Sequence, residues 1–260
     1  MKPAEIFIKE DLRRFFLNSS ISIFVNSRSA QFLIALDFCN NEVYEMANYF
    51  SMVTRMIINK VKIDKVKGFL DEREANYLYK LALTAGKNGP CLEIGSYCGK
   101  SSVYLGAACK ENSTVLFSID HHGGSEEQQP GEAYFDPDLL DKEIGKIDTL
   151  KHFRKTIADF DLEDIIIPVI GRSEIVGRVW QMPLSLIFID GSHAYESVLN
   201  DYTIWSKHLI AGGYLLFHDI FPDPSQGGQA PYLVYKKAVA SRLYEEMPMC
   251  ESLGILRRKK

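Results

Sequence analysis

Cys91-Leu92-Glu93-Ile94-Gly95-Ser96-Tyr97-Cys98-Gly99-Lys100-Ser101-Ser102 is the stretch that decides the fold. A short apolar run passes straight into glycines and then into residues that open a helix. Gly95 permits a tight turn and close backbone approach, and Gly99 lets the helix start pack near the strand. The free N–H groups of the first helical turn then face whatever binds there. A P-loop needs four residues between its glycines before Lys-Ser, and Gly95 to Gly99 leaves one too few, so Lys100 is not read as a phosphate clamp. The G-x-G-x-x-G dinucleotide fingerprint is absent as well. What the stretch does present is an acid at the strand end, Glu93, followed by Gly-x-x-x-Gly. An acid there suits a ligand with a cationic amino-acid part.

Outward from this turn the chain becomes regular. Glu72 to Ala85 reads as a helix with Ala75, Leu78, Leu81 and Ala82 on one face, stopped by Asn88-Gly89-Pro90. Strands are expected at Cys91 to Ile94, Thr114 to Ile119, Ile165 to Ile170, Leu184 to Ile189 and Tyr214 to Phe217, each an apolar run suited to burial on both faces of a parallel sheet. Helices are expected between them, at Lys100 to Cys109, Lys146 to Phe160, Glu174 to Val179 and Tyr195 to His208, with a further one at Pro231 to Leu243 and a closing strand within Glu251 to Arg258. Repeated βα units of this kind imply an α/β, Rossmann-like, doubly wound sheet that is mostly parallel and seven-stranded, with helices on both faces. Residues 69–260 are assigned to it. Residues 1–68 carry Phe32, Leu33, Leu36, Val43, Met46, Ala47 and Phe50 at helical spacing and are read as a helical extension, a cap or dimerisation segment.

In an open α/β sheet, ligands bind beyond the carboxyl ends of the strands. Asp120 ends the second strand, where a carboxylate can accept both ribose hydroxyls. The third strand leads to Ser173 and Glu174, and Ser173 also reads as a helix N-cap. The fourth gives Asp190-Gly191-Ser192-His193 and the fifth His218-Asp219, which should gather at one edge. Between them, His121 to Asp141 is a long polar loop, and its segment Gly123 to Asp136 reads as a lid, with Tyr134 and Phe135 over an acceptor. His121 and His122 stand beside Asp120, placed to touch a cofactor or a substrate.

The stretch from Leu92 to Ser101 resembles the first motif of the catechol and caffeoyl-CoA type O-methyltransferases, and is similar to the broader group of small bacterial methyltransferases acting on sugars and antibiotics. The resemblance runs from about Asp71 to Phe221, plus the closing strand. It implies a class I S-adenosylmethionine-dependent methyltransferase with S-adenosyl-L-methionine held by Glu93, Gly95, Ser96, Tyr97, Gly99, Ser101, Asp120, His121, Ser173, Glu174 and Asp190. It implies O-methylation of a small hydroxylated acceptor, a sugar or a phenolic product. Methyl transfer is an in-line displacement, so the acceptor hydroxyl must lose its proton, and a histidine suits that work. His193 stands where the family has a basic lysine, three residues past the strand-four aspartate. The catalytic set is therefore His193, Asp190 and His218. The family also binds a divalent cation through that aspartate and an Asp-Asn pair. Here the set reads Asp190, His218 and Asp219, which suits Mg2+ or Ca2+ through its oxygens, while the histidine tilts it toward softer metals. Two other readings keep the fold: a different nucleotide-binding protein, or a non-catalytic binding subunit.

Composition narrows the partners. The 260 residues carry a net charge of −4 and are 46% hydrophobic. The dense basic run Arg257-Arg258-Lys259-Lys260 lies at the end, so no nucleic-acid partner is expected. Five cysteines without a Cys-x-x-Cys pair suggest a reducing compartment. No apolar run of membrane-spanning length is present, so no membrane partner is expected and the protein is read as cytoplasmic. The N-terminal helices offer a route to a homo-oligomer.

Overall fold

The computed structural model describes residues 62–260, which fall within the second of the chain's two compact units, Asn59–Lys260, and in the first the backbone of an antiparallel pair, Phe24–Val25 with Phe32–Leu33. Phe32 and Leu33 therefore sit in a strand rather than on the helical face that their spacing suggests, an ambiguity inherent in short apolar runs. Leu36, Val43, Met46, Ala47 and Phe50 lie outside the described residues.

Seven strands form one sheet: β1 Cys91–Ile94, β2 Leu116–Asp120, β3 Ile166–Ile170, β4 Leu184–Ile189, β5 Leu209–Phe217, β6 Tyr244–Cys250 and β7 Leu253–Arg258. Their order is β6-β7-β5-β4-β1-β2-β3, parallel from β5 to β3, with β7 running against both its neighbours. The chain leaves the first strand in one direction and returns to its other side for β4. That reversal opens a crevice beyond the carboxyl ends of β1 and β4. The helices are α1 Glu72–Ala85, α2 Lys100–Glu111, α3 Leu150–Asp159, α4 Ser173–Gly177, α5 Tyr195–Trp205 and α6 Ala230–Ala240.

The strands' two-residue period sends alternate side chains to opposite faces. Leu186, Phe188, Leu216 and Ile255 meet Leu78 and Ala82 of α1, Leu105 of α2 and Phe153 of α3. Leu92, Ile187, Ile189 and Phe217 meet Val198 and Trp205 of α5 and Val234 and Tyr235 of α6. The start of α1 is fixed by a reciprocal cap: Asp71 accepts from the Arg73 N–H while the Asp71 N–H donates to Glu74.

Several boundaries differ from those that periodicity suggests. β3 is an edge strand, with Ile167 and Ile170 exposed and Pro168 within it; an edge needs neither full burial nor every N–H. α3 begins at Leu150, because Lys146–Ile147 pairs with Leu140–Asp141 as a short hairpin. β6 is an additional strand, half-buried and rich in Glu and Met, that among the described residues pairs only with β7. Among the described residues four cysteines, Cys91, Cys98, Cys109 and Cys250, are free thiols, the first three buried. No helix among them is long and apolar enough to cross a membrane.

Candidate active site

Hydrogen bonds between neighbouring strands continue one step beyond the sheet and fix the site. The Gly95 N–H donates to Ile119 O at 2.9 Å, Gly171 N–H to Asp120 O at 3.0 Å, Asp190 N–H to Ile94 O at 2.9 Å and His218 N–H to Ile189 O at 3.1 Å. Gly95, Asp120, Gly171, Asp190 and His218 thus stand along one edge. Gly95 has φ +87°, and a β-carbon there would lie 2.1 Å from the Asp190 carbonyl oxygen. The glycine lets β1 and β4 close together at the crevice.

Two cavities meet at this edge, each about 470 Å³, a size that suits a small ligand. They share Gly95, Tyr97 and Asp190. The first is lined by Asp120, His121, Ser173, Glu174 and Asp201. Asp120 already accepts from the Tyr97 N–H at 2.8 Å and the His122 N–H at 2.7 Å. His121 is exposed, its Nδ1 accepting from the Gly123 N–H at 3.0 Å. His122 is turned away from the cavity and buried, its Nδ1 2.8 Å from Thr149 Oγ1. The second cavity is lined by Phe69, Ser96, Ser101, Tyr134, His193 and Asp219, among others. Phe69 lies against both Tyr97 and Tyr134, and the Ser96 hydroxyl is buried without a hydrogen-bond partner.

Some sequence-derived positions fall elsewhere. Glu93 is 0% exposed and lines neither cavity. It accepts from Ser101 and Ser102 in the first turn of α2 and from Ser118 at 2.6 Å, so it ties α2 to β1 and β2. Burial, with the Asp190 charge adding, pushes its carboxyl up to about 7. Gly99 also misses both cavities: at φ +90°, it faces Phe153 and Thr156 of α3. Ser173 is the first helical residue rather than the cap, and its hydroxyl donates to Asp201. Phe135 packs against the cluster of Cys98, Leu139 and Ile147 instead of covering the cavity. Periodicity left Asp201 among helix residues, although it is 6% exposed and burial pushes its carboxyl up to about 7. Tyr97, His122 and Asp219 hold positive φ, at 48°, 57° and 56°, a backbone strain that leaves no mark in the sequence.

The strand-four and strand-five groups interlock. His193 Nε2 lies 2.9 Å from Asp219 Oδ2, and its Nδ1 lies 3.4 Å from Glu127 Oε2 on the loop after β2. The Asp219 hydrogen bond raises the His193 pKa above 6.5 against the opposing effect of burial. His218 is 6% exposed. Its Nδ1 lies 3.0 Å from Asp190 Oδ1 and 3.5 Å from Asp219 Oδ2, and its Nε2 lies 3.1 Å from Glu74 Oε2. Burial would lower the imidazole's pKa, but these carboxylates outweigh it and hold it far above the ordinary range. Burial would raise Asp219, and the two histidines pull it below the usual carboxylate range instead. Among the described residues, Asp190, His218 and Asp219 bring ligand-type atoms within 4.8 Å of one another.

A family model described as a methyltransferase domain matches residues 92–220. An uncharacterized protein of Acanthamoeba polyphaga mimivirus is 42% identical over 36 residues, 14% of this chain and 16% of that protein, so only a small part of that relative's length is matched. The O-methyltransferase NovP has a similar structure, at 16% identity and TM-score 0.54, covering 72% of this chain and 80% of that one. The O-methyltransferase TomG of Streptomyces achromogenes, solved with S-adenosylmethionine, matches at 13% identity and TM-score 0.51 over 74% and 82% of the two chains. An O-methyltransferase of Bacillus cereus, solved with S-adenosylhomocysteine, matches at 13% identity and TM-score 0.54 over 79% and 90%. At these identities the solved structures speak for the fold, and they share the sheet described above. Residues 92–220 thus match a methyltransferase domain, built on a sheet whose fold is shared with solved O-methyltransferases.

Proposed function

We propose that this protein is an enzyme that transfers a methyl group from S-adenosyl-L-methionine to a hydroxyl of a small acceptor. The observation that carries the proposal is the junction of the two cavities at Gly95, Tyr97 and Asp190, which lets a cofactor in one present its reactive end to a molecule in the other. Asp120 is positioned for the ribose hydroxyls, with Ser173, Glu174 and Asp201 around the base. Ser96, Ser101 and the first turn of α2 are left for the amino-acid end. The unpaired Ser96 hydroxyl supports this, since a buried polar group without a partner calls for a ligand or water.

S-adenosylmethionine supplies an electrophilic methyl on a sulfonium, so the protein's part is to align the acceptor and take its proton. Phe69, Tyr97 and Tyr134 give the acceptor an apolar wall. Asp219 accepts from His193 Nε2–H and so fixes the ring, leaving Nδ1 as the nitrogen that receives the hydroxyl proton. The acceptor oxygen forms the new C–O bond as the C–S bond breaks, and the products are a methyl ether and S-adenosylhomocysteine. Glu127 faces the same Nδ1, so the acceptor hydroxyl and the lid carboxylate compete for it. The small-molecule acceptor, a cytoplasmic setting and assembly through residues 1–68 belong to the same proposal.

The experiment is transfer of labelled methyl from S-adenosylmethionine to a panel of phenols and sugars. Methyl ether formation by the wild type and its loss in His193→Ala support the reading; a protein that binds cofactor but methylates oxygen in none of them, and nitrogen or carbon acceptors instead, overturns it.

A further inference from the structure

The family resemblance implies a divalent cation on Asp190 and the pair after β5, and the residues present do not fit one. A nitrogen ligand must offer a lone pair to the metal. His218 Nδ1 lies 3.0 Å from Asp190 and its Nε2 lies 3.1 Å from Glu74. Ionised carboxylates only accept, so both ring nitrogens serve as donors and no lone pair remains. Turning the ring toward an ion would strip Glu74 of a partner. Glu74 is 3% exposed, and its other oxygen is taken by the Ser252 N–H and hydroxyl, each at 2.7 Å.

The oxygens fare no better. An ion bridging Asp190 Oδ1 and Asp219 Oδ2 would compete with the His218 Nδ1–H, which lies 3.0 Å and 3.5 Å from those two oxygens. The charges facing it come from every element around it: Glu74 on α1, Asp190 after β4, Asp219 after β5, and His193 on the far side of Asp219. The carboxylates would draw a dication in, but the buried donor ring wedged between them repels it and would have to leave before the ion could enter.

We propose that this site takes no divalent cation, and that the His218 side chain stands in its place, using its two N–H donors to lock Asp190 at the cavity junction against Glu74 and Asp219. The inference rests on the methyl-transfer reading above only in giving the junction its purpose. The carboxylate that a cation would align is instead aligned from within the chain. Oxygen methylation here then needs no added metal.

The decisive experiment uses the full-length wild-type protein and Mn2+ as the probe, followed by calorimetry and electron paramagnetic resonance. No saturable Mn2+ binding up to millimolar concentrations is the expected result. A parallel nitrogen-15 spectrum should show His218 with protons on both ring nitrogens. His218→Asp adds a third carboxylate, and folded protein of that variant should gain a Mn2+ site at least tenfold tighter than anything in the wild type; the wild-type measurements decide the matter if the variant does not fold. One-to-one Mn2+ binding by the wild type that disappears in Asp190→Asn, or a His218 ring with one bare nitrogen, overturns the proposal. A separate titration with S-adenosylhomocysteine reports on the methyl-transfer reading, so the two can fail independently.

Discussion

Replacing Gly95 by alanine puts a methyl group where two backbones already touch. The new carbon would stand 2.1 Å from the Asp190 carbonyl oxygen, 2.6 Å from its carbon and 2.8 Å from Gly191 Cα. Those atoms cannot swing aside, because the Asp190 N–H is bonded to Ile94 O. The left-handed φ adds about 1–2 kcal/mol for any L residue, and forced overpacking adds about 1–3 kcal/mol or more. Together they come to about 2–5 kcal/mol, which at about 2–4 °C per kcal/mol for a domain of this size lowers the melting temperature by roughly 4–20 °C. Asp190 and Gly191 line both cavities, so affinity for S-adenosylhomocysteine should fall in whatever remains folded. Gly99→Ala is the control. Its φ is as unfavourable, but the added carbon meets only side chains, Phe153 at 3.1 Å and Thr156 at 3.3 Å. It should cost about 1–3 kcal/mol and leave affinity within about threefold. Thermal melting and calorimetry below the transition read both variants. A Gly95→Ala protein that melts and binds like the wild type, or a Gly99→Ala protein that is the one to lose affinity, would refute the reasoning.

Further outcomes are expected. His193→Ala should lose turnover by about 10²–10⁴ while melting and cofactor affinity stay the same, and unchanged turnover removes it as the base. The base must be neutral to accept a proton and its pKa is raised above 6.5, so turnover should fall as pH drops through a midpoint above 6.5. Glu127→Gln removes one charge that raises it and should move that midpoint down; an upward or absent shift contradicts the assignment. Asp120→Ala should weaken S-adenosylhomocysteine binding by about 1.5–3 kcal/mol, or roughly 10–100-fold, by loss of charged hydrogen bonds, as calorimetry would read. Asp201 has its carboxyl raised from 3.8 to about 7. Its stabilising contribution is complete below pH 3.8 and drains away as pH rises to about 7. Asp201→Asn should therefore flatten the loss of stability across that range in denaturant titrations, and an equally steep loss in the variant would show that another group is responsible.

The sheet was legible because its central strands are short apolar runs with nowhere to go but between helices. Leu184–Ile189 is buried throughout, and a run that short between Pro183 and Gly191 is read as a strand by its length and its flanks rather than by periodicity. The edges were harder. Pro168 and the exposed Ile167 carry no alternation, and β6 owes its strand to pairing with β7, a tertiary cause that its Glu-rich sequence does not record. At the site, the topological rule brought Asp120, Asp190, His193, His218 and Asp219 to one edge. It could not say which side chains would face the cavity. Glu93 and Asp120 both lie on strands near the glycine turn, yet one is wholly buried against three serines and the other lines the cavity. Asp201 was missed because an acid inside a helix usually faces solvent. Glu74 was missed because it lies 144 residues from the histidine it holds.

The most direct measurement is calorimetric titration of the wild-type protein with S-adenosylhomocysteine, repeated on Asp120→Ala. One-to-one binding near micromolar strength that weakens at least tenfold in the variant is the predicted result. Absence of heat in the wild type, or equal affinity in both proteins, would contradict the cofactor site and the methyl transfer built upon it.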